Sequence, residues 1–275
     1  MKVLKRLFDF YLQASLHVAL SCAALVLMTL HMFHFSLSHP IVLFVFFGTI
    51  AGYNFVKYDA LARTGEKEPG IRIRLVMLLS IISLFASGWF FLHLEKVAQL
   101  VSMVFVLLTL LYTLPFFPNR SNARNWAGIK IYIVSFCWAG VTVIMPVLNA
   151  DPGLGSFLHV DVYLKFVQRL ILVFALILIF EIIDLSKDDP HLQTVPQKIG
   201  VKKTKMLGLI LLMPFYFLEF LRSQPDISQL YINLVMVVVT AVFLAFANER
   251  KSRYYTAFWV ESIPVFWWIL VLLFG

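Results

Sequence analysis

The chain has 275 residues, of which 61% are hydrophobic and only 14% charged, with a net charge of +8 and a mean hydropathy of +0.86. Water-soluble domains carry about 25% charged residues, so a single soluble core is excluded and an integral membrane protein is implied. Cys22 and Cys137 both lie in apolar stretches without metal-ligand spacing and read as small packing residues.

The opening, MKVLKRLFDFYLQ, sets Lys2, Lys5 and Arg6 among apolar residues. Residues 1–12 read as a short amphipathic segment lying at the membrane interface. The apolar run that follows continues to about Met32 without a small-residue cleavage site, so it reads as a retained span and not a signal peptide. A helical span needs about 20 mostly apolar residues. Nine stretches qualify: 13–33, 39–57, 73–94, 97–117, 128–149, 163–184, 204–221, 228–247 and 256–274. The seventh is short and contains Pro214. His31 and His34, at the outer end of the first span, have no third ligand nearby and read as interfacial. Gly48 and Gly52 form a small-xxx-small pattern that lets helices approach closely.

Glu261 falls roughly 10 Å inside the last span at 1.5 Å per residue. It is either a functional proton-accepting group in a central cavity, or a hydrogen-bonded packing residue. Trp259, Trp267 and Trp268 suit a ligand-lining or cation–π role, and equally lipid-facing positions.

The basic residues set the orientation. Nineteen of the 23 lie in the N-terminal segment and in every second connection, leaving Lys96, Lys165, Arg169 and Arg222 for the other side. Lys and Arg favour the cytoplasmic side, so the N-terminus is expected in the cytoplasm and the fold is an all-α bundle of about nine transmembrane helices. The positive charge is this topological bias, and no nucleic-acid partner is expected.

The sixth span ends in an acidic cluster, FEIIDLSKDDPHLQTVPQKIG (180–200). Glu181, Asp184 and Asp188 are spaced i, i+3, i+7 and share one helical face. Anions at a helix C-terminus oppose the macrodipole, a conflict that a cation relieves. Mg²⁺ is commonly held by one or two carboxylates together with substrate phosphates; simple solvation of the acids is the alternative.

This stretch resembles the second motif of the UbiA-type intramembrane prenyltransferases, D-x-x-D-x-x-x-D followed by T-x-P-x-x-x-G. It reads Glu181-x-x-Asp184-x-x-x-Asp188, then Thr194-x-Pro196-x-x-x-Gly200, with Glu181 in place of Asp. The family's first motif, N-D-x-x-D-x-x-x-D, has only a degenerate counterpart in GYNFVKYDALAR. Asn54 matches, Phe55, Tyr58 and Ala62 stand at the acidic positions, and Asp59 is one position off register. YTLPFFPNRSNAR (112–124) is similar to the family's segment after its fourth span, where a Tyr and basic residues approach the diphosphate.

The resemblance implies one UbiA-like domain over residues 1–275. It also implies transfer of an isoprenoid chain from a diphosphate donor to an aromatic or lipid acceptor within the bilayer. Mg²⁺ would sit on Glu181, Asp184 and Asp188, which also form the catalytic set. The diphosphate would meet Asn54, Lys57, Tyr112, Arg120, Arg124 and Lys187, the cations replacing charge that the missing first-motif acids would have brought through metal. The expected location is a bacterial inner (cytoplasmic) membrane, with the site facing the cytoplasm. The degenerate first motif leaves a second expectation: a catalytically inactive family member that binds a lipid or a partner protein. A transporter, which needs paired charges at broken helices near the midplane, fits this charge pattern least.

Overall fold

The computed structural model describes residues 2–64, 70–114, 128–189 and 192–275, and these are helical with short connections. An amphipathic α1 (Lys2–Gln13) leads into α2 (Leu16–Met32). There follow α3 (His39–Thr64), α4 (Ile71–Phe91), α5 (Lys96–Thr113), α6 (Ile129–Ala150), α7 (Val160–Asp184), α8 (Val195–Leu221), α9 (Ile227–Phe246) and α10 (Tyr255–Phe274). Eight of these, α3 to α10, are long and apolar enough to cross a bilayer, and α1 and α2 pass the same test only when taken together, as a pair bent by 56°. Apart from its ends, a helix satisfies its backbone polar groups internally, which is why helices suit lipid.

The amphipathic segment and the first span are separate helices, as the sequence suggests, because Ser15 adopts a left-handed conformation (φ 59°) and turns α1 away from the axis of α2. One departure from the sequence reading has a local cause. The seventh span is longer than 204–221. It starts at Val195, where the Thr194 amide donates to the side chain of Gln197 (2.9 Å) in a capping box, and Pro196 occupies the first turn. Pro214 is accommodated inside it.

Lipid supplies no hydrophobic force between helices, so packing rests on close approach and polar contacts. α2 and α7 are the inner pillars, and α4 lies at the rim, its side chains largely exposed to lipid. One apolar cluster joins Leu25 and Met28 of α2 to Ile179 of α7, Phe215 of α8, Met236 of α9 and Trp267 of α10. A second joins α2 to α3, α5 and α6 through Val26, Ile41, Ala98 and Met145. A Cβ on Gly140, where α6 becomes a π-helical turn, would lie 1.9 Å from the Phe105 ring, so only glycine lets α5 and α6 meet. Of the expected glycine pair, a Cβ on Gly48 would lie 3.2 Å from Ser87 Oγ, while one on Gly52 would meet nothing within 4 Å.

The two ends of the bundle are fixed by contacts between connections. At one end Lys57 and Tyr58 of α3 donate to the carbonyl of Gln13, and the Gly128 amide donates to the carbonyl of Leu192. This is the end that carries the basic connections. At the other, Asn149 accepts from the Glu95 amide and donates to Ser38, and Asp161 accepts from Ser223.

Candidate functional site

The acidic cluster lies at the basic end of α7. Glu181 is 3% exposed, and its Oε2 accepts the amide hydrogen of Val195 at 3.0 Å. The carboxylate is therefore set against the N-terminus of α8, where the first amides have no helical partner and the dipole favours an anion. The unfavourable end of one helix is offset by the favourable start of the next. Lys130 at the start of α6 and Asp188 lie within electrostatic reach of Glu181. Asp184 pairs with Lys187 at 3.6 Å; both are well exposed, so the pair contributes little stability. The amides of Lys187 and Asp188 donate back to the Asp184 carbonyl and turn the chain sharply after the helix.

Gly200 explains the last position of the motif. Its φ of 80° and ψ of 156° kink α8 one turn after its start, in a region costly for any side chain. A Cβ there would meet nothing within 4 Å, so backbone conformation alone demands glycine.

Among the described residues, no three carboxylate, histidine or cysteine side chains are gathered so that they could hold a metal ion. Glu181 is turned inward onto Val195, and Asp184 outward beside Lys187. As they stand, Glu181, Asp184 and Asp188 do not fit a three-carboxylate cage. Asp184 and Asp188, adjacent at the helix end, offer the donor type that Mg²⁺ takes when phosphate oxygens complete its shell.

The remaining expected site residues divide. Asn54 is 3% exposed and donates to the Ala14 carbonyl (3.1 Å) and Ser80 (2.9 Å), tying α3 to the α1–α2 elbow and to α4. Lys57 donates to the Gln13 carbonyl and to Ser15, each at 3.4 Å, and is within electrostatic reach of Glu261. At the degenerate first-motif positions, Phe55 is exposed and Tyr58 donates to the Gln13 carbonyl at 3.2 Å. Tyr112 is buried at the basic end of α5, and Lys187 is exposed beside Asp184. Arg120 and Arg124 lie outside the described residues, as do the side chains of Asp59 and Ala62.

Glu261 stands at a break in α10, between a π-helical turn (Tyr255–Val260) and the helix from Ile263. Its carbonyl accepts from Ser21 of α2, and its carboxylate lies within electrostatic reach of Lys57 of α3. Tyr53, also of α3, accepts a hydrogen bond from the Trp138 indole at 2.7 Å. Polar contacts thus tie α2 to α10 and α3 to α6 in this part of the bundle.

A second polar cluster corrects the sequence reading. Lys165 and Arg169, counted there only as basic residues of the outer side, are buried in the outer half of the bundle, and Arg222 joins them, partly exposed, at the outer end of α8. Glu219 of α8 is 1% exposed and accepts from Lys165 (3.2 Å), Gln168 (3.2 Å), Asn233 (2.9 Å) and Arg222 (2.9 Å). Arg169 is fully buried, donates to the Leu25 carbonyl and Thr142, and lies 5.1 Å from the Trp267 ring centroid. Trp267 therefore serves the protein's own cations, whereas Trp259 is exposed to lipid and Trp268 packs on His31. The signal was present in the sequence: opposite charges inside two apolar spans imply a partner.

No protein-family model and no curated protein matches the sequence. Two solved structures share the fold. A UbiA homolog from Aeropyrum pernix K1, in its apo form, superposes with a TM-score of 0.64 at 13% identity, over 94% of this chain and 96% of that one. A digeranylgeranylglyceryl phosphate synthase superposes with a TM-score of 0.56 at 17% identity, over 98% of this chain and 96% of the other. The chain has the UbiA-type fold.

Proposed function

We propose that this protein is a UbiA-type prenyltransferase, moving an isoprenoid chain from its diphosphate to an aromatic or lipid acceptor within the bilayer. The observation that carries this reading is the motif from Glu181 to Gly200 at the mouth of a bundle whose fold matches over nearly its whole length. In the transfer the allylic C–O bond to the diphosphate breaks, a bond from the acceptor to that carbon forms, and the acceptor loses a proton.

Asp184 and Asp188 would hold Mg²⁺, whose charge offsets that of the departing diphosphate. Lys57 and Lys187 lie at the same end of the bundle and add positive charge, and Arg120 and Arg124 follow α5 in the sequence. Glu181 anchors the start of α8 through Val195, fixing the loop that carries the two aspartates. Residues 1–275 would act as one domain in a bacterial cytoplasmic membrane, with the mouth facing the cytoplasm.

The test is titration of the purified protein with a non-hydrolysable geranylgeranyl diphosphate analogue, with and without Mg²⁺. Binding that requires Mg²⁺ and is lost in Asp184→Asn and Asp188→Asn is expected. A second reading, an inactive family member that binds a lipid or a partner protein, is favoured by Phe55, Tyr58 and Ala62 at the first-motif positions and by the ungathered carboxylates. Absence of any analogue binding would decide for it.

A further inference from the structure

The degenerate first-motif end of α3 is occupied by another task. Three of its side chains converge on the elbow between α1 and α2: Asn54 on the Ala14 carbonyl, Lys57 on the Gln13 carbonyl and Ser15, and Tyr58 on the Gln13 carbonyl. The elbow thus couples α1 to the mouth. One side of α1 is fastened to the α9–α10 connection, where Asp9 accepts from Arg253 (2.5 Å) and Tyr254 (2.6 Å) and Phe8 packs on Tyr254 and Phe258.

The other side is open. Val3, Leu4 and Leu7 are 69%, 74% and 61% exposed, which is too much apolar surface for water at the end of a helix fixed this firmly. On a 100° wheel these residues group together, with Arg6 at their border and Lys2 and Lys5 on the opposite side, Lys5 within electrostatic reach of Asp9. The 56° bend turns α1 off the axis of α2, away from a spanning course. An apolar side opposed by cations, on a helix lying at the basic end of a membrane bundle, is complementary to acyl chains below acidic headgroups.

We propose that α1 is a receptor for anionic lipid and that its docking is transmitted through the Gln13–Ser15 elbow to Lys57 at the mouth. Val3, Leu4 and Leu7 enter the boundary between headgroups and acyl chains, while Lys5 and Arg6 contact the acidic headgroups. This inference goes beyond prenyl transfer, and its test involves no diphosphate, so the two stand or fall separately.

The experiment uses the full chain in nanodiscs of phosphatidylcholine alone or with phosphatidylglycerol. An environment-sensitive dye is placed on Val3→Cys; Cys22 is buried and Cys137 partly so, and Cys137→Ala removes residual labelling. Phosphatidylglycerol is expected to raise the fraction of buried dye about five-fold per basic residue engaged, an effect reversed by high salt. Lys5→Gln/Arg6→Gln should abolish the response while leaving the phosphatidylcholine signal unchanged. In parallel, the rate of acylation of Lys57, read by mass spectrometry, should change when phosphatidylglycerol is present and lose that change in the same variant. Equal signals in both lipids, or a response that survives high salt or the double substitution, overturns the lipid assignment. An unaltered Lys57 rate overturns the coupling.

Discussion

Glu219 is the acceptor for three buried donors and the partly exposed Arg222, and replacing it by Gln tests whether the outer half of the bundle depends on that charge. The side chains of Lys165 and Glu219 are each 1% exposed, and their charges are 3.2 Å apart. Screening by water is therefore absent, and the discount that applies to surface pairs does not arise. Removing one partner of such a pair leaves an uncompensated buried charge and costs about 3–5 kcal/mol. Here Lys165 would keep Gln168 at 2.6 Å as its acceptor, but Gln168 is neutral and Arg222 adds a second cation nearby. The expected loss for Glu219→Gln is about 3 kcal/mol, the lower end of that range. That equals roughly a hundred-fold change in the folding equilibrium at 1.4 kcal/mol per factor of ten.

The control replaces both partners by apolar residues of similar volume, Lys165→Met with Glu219→Leu, which removes both desolvation penalties together. It should recover most of the loss, although Arg222 loses a partner as well. Reversible unfolding in mixed micelles, followed by tryptophan fluorescence, measures both chains, and the double-mutant cycle isolates the pair. The reasoning is refuted if Glu219→Gln costs under about 1 kcal/mol, the worth of an ordinary exposed pair.

Two other outcomes follow from single geometries. Gly200→Ala should cost about 1–2 kcal/mol, because a side chain at φ 80° is strained and no packing contact offsets it. A cost of only a few tenths in the same unfolding measurement would mean that the kink of α8 relaxes freely. The carboxylate of Asp151 accepts the Ser156 amide at 2.7 Å, and hydrogen bonds from Ser156 hold its pKa below the usual carboxylate value of about 4. A native pKa below the unfolded one stabilises the loop above pH of about 4, and that contribution fades as pH falls through the native value. Exchange protection of the Ser156 amide, corrected for intrinsic rate, should therefore drop in acid in the native chain and be low throughout in Asp151→Asn.

The sequence by itself determined that the chain is a bundle of eight or nine apolar spans, their approximate limits and the basic end, because lipid requires each helix to declare itself as a long apolar run and each connection to carry its charge locally. It also determined the local parts of the motif. Thr194, Pro196 and Gly200 act within one helix start, through a cap, a first-turn proline and a positive φ, and such roles depend only on near neighbours.

What the tertiary structure decided is how side chains from distant segments are used. Glu181, read as a metal ligand, is engaged by the amide of Val195 across a turn. Asn54 and Lys57, read as substrate contacts, hold the elbow after α1. Lys165 and Arg169, read only as outer-side charges, are buried within the outer half of the bundle, and Lys165 and Arg222 are both spent on Glu219. A charge in an apolar run announces that it needs a partner, but the partner lies on another helix, 54 positions away for Lys165. Hydrophobic periodicity carries no information about which helices face one another, so those pairings emerge only when the bundle is packed.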